Sequence, residues 1–248
     1  MNGITTHSLD VIKAALEHAR LLSEVPEPAN NGWSKCTVDP SRMLTAFPPL
    51  SLQDGFELRA YQYFENGNGN AVVYAMPEGA PFPDPESCPR VQDEFLEPPV
   101  PPGAVDDVRS VIRGDGSPWS YMCASLFARE LAEFGAMWHG SSWGTHHLLG
   151  CNPFALTESD RQRVDRHGGP DAPLSSSNET QWTWLEAKPK EWRPSVTMAN
   201  AGVTVTFHTF SGHGYERICR HEDVYGATGY CFENTYTELA HGPAGYVF

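Results

Sequence analysis

The chain has 248 residues, with 31 Asp and Glu against 17 Lys and Arg for a formal net charge of −14; 40% of its side chains are hydrophobic and 11% aromatic. That apolar content excludes a disordered chain, and no stretch approaches the ~20 consecutive apolar residues of a membrane-crossing helix. An acidic surface repels phosphate backbones, so the expected partner is a small molecule or a basic protein rather than nucleic acid or a membrane.

Leu9, Ile12, Leu16 and Ala19 recur at helical spacing and predict a helix over Ser8 to Leu22. A Pro- and Asn-rich stretch follows, after which Phe56 to Glu65 and Ala71 to Met76 flank Asn66-Gly67-Asn68-Gly69-Asn70, the signature of a β-hairpin. Residues 76–103 hold nine of the 21 prolines and six acids against one base, Arg90, which reads as an extended excursion within one domain, 1–248. Ala104 to Arg113 reads as a short helix. A longer helix is predicted from Ser117 to about His139, with Ser117 as N-cap and Pro118 at the first helical position. Trp119, Met122, Cys123, Leu126, Phe127, Leu131, Phe134, Met137 and Trp138 share its broad apolar face. The last third reads as strands at Gln181 to Ala187, Ser195 to Ala199, Val203 to Phe210 and Tyr215 to Val224. Helices early and strands late predict an α+β fold: an antiparallel sheet of C-terminal strands plus the N-terminal hairpin, packed on a long central helix and two or three shorter ones.

The start, Met1 to His7, has no basic segment followed by an apolar run, so no secretory leader is expected. The six cysteines are widely spaced with no Cys-x-x-Cys pair, which points to reduced thiols and a cytoplasmic protein.

Three groups of residues stand out chemically. Glu130 falls in the middle of the apolar face of the second helix, where a carboxylate must find a partner or hold a proton; it is a candidate catalytic acid or one half of a buried ion pair. Residues 134–157 carry no Asp, Glu, Lys or Arg but bring Trp138, His139, Ser142, Trp143 and His146 together among glycines, as a ligand-binding segment or as core filling. Gly140-Ser141-Ser142-Trp143-Gly144 matches G-x-S-x-G, but a helix precedes it where a nucleophile elbow needs a strand.

The third group depends on strand register. A hairpin closed over Ser211 to Gly214 would pair Phe210 with Tyr215 and His208 with Arg217, and so gather His208, Arg217, Cys219 and His221 on one face. Cys219 and His208 would then be a nucleophile and its base, with Arg217 binding ligand. Alternatively, His208, Cys219 and His221 would hold zinc with one open position. No other cofactor is indicated by a motif. Trp182 and Trp184 are a further ligand platform or core filling. Two functions follow: a small-ligand- or partner-binding accessory protein, and a hydrolase-like enzyme built on the His/Cys/Arg face.

Overall fold

A computed structural model describes residues 3–92, 96–137, 142–155 and 178–245, a mixed α+β chain in which every paired strand is antiparallel. The expected α+β character and antiparallel pairing are therefore present. Contacts divide the chain into two compact units, one of Met1–Ile12, Gly144–Ala227 and Phe232–Phe248, the other of Lys13–Trp143 with Thr228–Cys231. They are called here the sheet unit and the helix unit. The chain passes from the first to the second within helix α1, Leu9–Ser23.

The helix unit is built around a hairpin of Phe56–Glu65 and Asn68–Pro77. Glu65 pairs with Asn68, so the turn is only Asn66-Gly67, with φ of 50° and 87°. Two positive φ angles match the right-handed twist of the flanking strands, and Asn followed by Gly tolerates them best. Gly32–Lys35 adds a third strand, and Leu50–Leu52 pairs separately with Ile112–Gly114.

Helix α2, Pro118–Ala132, starts as expected: Ser117 Oγ accepts the Ser120 N–H and Pro118 takes the first turn. It stops short of His139 because Glu133 to Gly135 form a turn, with Gly135 at φ 67°. The sequence reading gave the helix one apolar face, but ten of its 15 residues are buried, including Ser120, Tyr121, Ala124 and Ser125. The stretch Ala104 to Arg113 is not one helix; a short 3-10 turn, Val108–Val111, leads directly into the strand Ile112–Gly114.

The described residues of the Pro-rich excursion, 76–92 and 96–103, include several packed against the hairpin. Phe82 stacks on Tyr61 at 4.3 Å, the Tyr61 hydroxyl donates to the Pro83 carbonyl, and Cys88, Val100 and Ala104 join the same apolar cluster. Prolines lack N–H donors, so few backbone groups in this stretch need partners as it crosses the apolar surface.

The sheet unit holds a seven-stranded sheet centred on Gly202–Ser211 and Arg217–Tyr225. Along its other edge, Gly202–Ser211 pairs first with Ser195–Ala199 and then with His147–Leu149. Gly3–Thr6 and Phe232–His241 extend the sheet on either side, and both were missed in the sequence. Gln181 to Ala187 contributes only Thr183–Trp184 as strand.

Gly202 opens the central strand at φ 151°, and a Cβ there would lie 2.4 Å from the Tyr225 carbonyl oxygen. Gly202→Ala should therefore cost about 2 kcal/mol or more. Gly226→Ala, where a Cβ meets nothing within 4 Å, should cost well under half of that. Urea unfolding of the two variants checks this, and equal losses would show that the close approach at Gly202 does not constrain the sheet.

Candidate functional site

The expected His/Cys/Arg face depends on a hairpin of different register. Ser211 pairs with Arg217, Phe210 with Ile218, Thr209 with Cys219 and His208 with Arg220. The connection is Gly212 to Glu216, one residue longer than the four-residue loop read from sequence, and the pairing offset changes by an odd number. An odd change moves one strand's side chains to the opposite face relative to its partner. Arg217, Cys219 and His221 remain together, but they face Phe207, Thr209 and Ser211. His208 points the other way, beside Trp192 at 5.4 Å and in the layer of Phe210 and Ile218.

This register corrects two assignments. Cys219 and His208 are on opposite faces, so they do not form a nucleophile and base. For the same reason His208, Cys219 and His221 are not one zinc set, and among the described residues no three His, Cys, Asp or Glu side chains gather as a metal site requires. Cys219 is fully buried; burial pushes its thiol up to about 11, and its Sγ–H donates to the Tyr236 hydroxyl at 2.8 Å. Burial likewise lowers the pKa of His208. His221 stacks on Phe207 at 4.9 Å, meets Tyr236 and His146 edge-on, and shares a 2.9 Å hydrogen bond between Nε2 and Thr209 Oγ1. Thr145 and Ser211 share a hydroxyl hydrogen bond nearby. His146 from the uncharged segment thus joins Arg217, Cys219 and His221, in a layer where Thr209, Ser211 and Cys219 are fully buried.

The other described residues singled out in the sequence lie elsewhere. Trp138 and His139 fall outside the described residues. The backbone N–H groups of Ser142 and Trp143 donate to Glu133 Oε1 in the helix unit. Trp182 is buried against Phe154 and Phe210, and Trp184 packs on Phe154, so both fill core.

Glu130 is 3% exposed and accepts from Arg20 Nε and Nη2 at 3.3 Å and from the Trp143 indole N–H at 2.9 Å. Burial raises its pKa, while Arg20 and the indole oppose that rise. The carboxylate forms the structural ion pair and does not line the cavity described next.

That cavity, of about 390 Å³, lies within the helix unit between the strand segment Asn70 to Val73, the loop Asp106 to Arg109, and α2. Its floor is apolar: Phe127 and Leu131 on α2, and Ile112. Space is left because Ala124, Ala128 and Ala132 recur every four residues on the same helical stripe, where larger side chains would fill it. The Tyr230 ring closes one side. It stacks on Tyr121 at 4.8 Å, accepts the Gly116 N–H through its hydroxyl at 3.0 Å, and shares a hydrogen bond with Ser120 Oγ at 2.7 Å.

Polar groups sit at the rim. Asp107 accepts the Arg109 backbone N–H and binds its guanidinium through both oxygens at 2.9 Å. Burial works to raise the Asp107 carboxyl, but the Arg109 bonds outweigh it and hold it below the usual carboxylate range. Asp106 is exposed and has no hydrogen bond or ion pair among the described residues.

The sequence reading did not find this cavity. Its one legible signal was the four-residue repeat of alanine inside an otherwise bulky helix. Comparisons with family models, with characterised proteins and with solved structures found no match to the chain. No described helix is long and apolar enough to cross a membrane.

Two outcomes check these placements. At neutral pH a thiol reagent should label exposed Cys231 before Cys219 and Cys123, which it should reach only on unfolding; fast labelling of Cys219 in the folded protein would contradict its burial. For the ion pair, Arg20→Ala strands a buried carboxylate and should cost about 2 kcal/mol at pH 7.5. Glu130→Gln leaves only the half-exposed Arg20 without its partner and should cost about 1 kcal/mol or less. A carboxyl whose folded pKa is raised loses stability as pH rises through that value, so the Arg20→Ala loss should shrink toward pH 5. Chemical denaturation at the two pH values measures this, and a loss independent of pH would mean the carboxylate is not the group stranded.

Proposed function

We propose that this protein binds a small, largely apolar ligand in the cavity beneath Tyr230. The observation carrying the reading is the cavity itself. At about 390 Å³ it falls within the ~300–1,000 Å³ range of small-molecule sites, and a few polar groups at the rim of an apolar interior are the common pattern of such sites. Removing an apolar body from water there drives binding, and the rim groups select among ligands.

A hydrolase-like reading has one observation in its favour, the Thr209 to His221 hydrogen bond, which pairs a hydroxyl with an imidazole as nucleophilic catalysis requires. It ranks second because Thr209 is fully buried, which leaves a substrate no approach to the hydroxyl.

The test uses the uncharged fluorescent probe N-phenyl-1-naphthylamine. Wild-type protein should bind it saturably at one site. Ala128→Trp fills the cavity from a half-buried helix position and should reduce that binding at least tenfold while leaving the circular dichroism spectrum unchanged. Absence of saturable binding, or equal binding by a folded Ala128→Trp variant, would overturn the reading.

A further inference from the structure

The charges at the cavity rim are unequal in availability. Among the described residues lining the cavity Arg109 is the one cation, and its guanidinium is bound through Nε and Nη2 to both oxygens of Asp107. A carboxylate or phosphate ligand at Arg109 would meet a cation already paired with both Asp107 oxygens, the strongest type of side-chain hydrogen bonding on the rim. Asp106 is the opposite case. It lines the same cavity, it is exposed, and among the described residues it makes no ion pair or hydrogen bond. The rim therefore offers one carboxylate whose bonding capacity is unused, above an apolar floor of Phe127, Leu131 and Ile112. The chain's net charge of −14 adds a field that attracts cations and repels anions before contact.

Building on the small-ligand reading, we infer that the ligand is a cationic amphiphile: an ammonium group that pairs with Asp106, on an apolar body that fills the cavity alongside Ala124 and Ala128. The asymmetry between the engaged Asp107 and the unengaged Asp106 carries this inference. An ammonium donates to Asp106 without breaking any bond on the rim. A neutral alcohol of the same length fills the same space but forms no ion pair, and a carboxylate both meets Asp106 as a like charge and competes for Arg109.

Calorimetric titration with three ligands of matched chain length, octylammonium, 1-octanol and octanoate, tests the inference on the full chain at pH 7. Octylammonium should bind about threefold to fivefold more tightly than octanol, the range an exposed ion pair supplies, and octanoate should bind most weakly. The octylammonium advantage should fall toward zero at 1 M salt, where charges more than about 3 Å apart are screened. Asp106→Asn should bring octylammonium down to the octanol affinity while leaving octanol itself unchanged. Equal binding of all three ligands would overturn the charge assignment and leave the cavity reading standing, and so would octylammonium preference that survives in Asp106→Asn. Tightest binding by octanoate would assign the head-group site to Arg109 and also overturn the inference. Failure of all three to bind, together with failure of the uncharged probe, would remove the cavity reading itself.

Discussion

A helix with almost no face open to water has to satisfy its polar side chains from within, and that constraint shapes the helix unit. Helix α2 buries ten of its 15 residues. An unpartnered buried polar group costs about 1–3 kcal/mol, so Ser120 and Glu130 draw on partners outside the helix. Ser120 bonds the Ser117 carbonyl and the Tyr230 hydroxyl, and Glu130 takes two donors from Arg20 and one from Trp143. The partners lie 110 residues from Ser120, and 110 and 13 residues from Glu130. These bonds fix the helix in place along its length. Along the stripe of Ala124, Ala128 and Ala132 the side chains are short, and there the cavity lies.

In the sheet unit the corresponding constraint is register. Both faces of the Gly202–Ser211 strand are covered for most of its length, so a slip of one residue would exchange two buried layers of different chemistry. One layer is aromatic and aliphatic, with Phe210, Ile218, Trp182 and Leu239. The other carries Thr209, Ser211, Cys219, His221 and Tyr236, whose side chains bond one another and Thr145. A layer of mutually bonded polar groups specifies one alignment more strongly than a uniformly apolar one, since any other alignment leaves buried donors without acceptors.

The parts of this fold legible in the sequence were those set by local chemistry. Asn66-Gly67 marked its turn because few other pairs accept two positive φ angles, and Ser117-Pro118 marked the start of α2 through its capping geometry. Glu130 stood out as a carboxylate on an apolar face, and burial with a cationic partner was one of its two expected fates. What escaped the sequence was set by distant contacts. The length of the Gly212 to Glu216 connection decided which face Cys219 shares, and no nearby residue encodes it. Phe232–His241 is a strand because it pairs along Arg217–Tyr225, although much of it is polar and exposed. The cavity depends on what is missing from α2 together with where Tyr230, Ile112 and Asp106 arrive, and only the alanine spacing was visible beforehand.

The two chemically suggestive regions differ in one physical respect that decides between them. In the sheet unit the Thr209 and Ser211 hydroxyls, the Cys219 thiol and the His221 imidazole are buried and bonded within their own layer, only the Tyr236 ring being exposed, so a substrate would have to open that layer to reach the buried groups. The cavity, by contrast, is lined by apolar side chains with Asp106 exposed beside them, and among the described residues Asp106 makes no hydrogen bond or ion pair, so apolar area and a carboxylate are both accessible there. Binding draws only on interactions not already made in the free protein. A functional assignment follows the unused capacity, and in this chain that capacity is concentrated beneath Tyr230 rather than on the histidine- and cysteine-bearing sheet face.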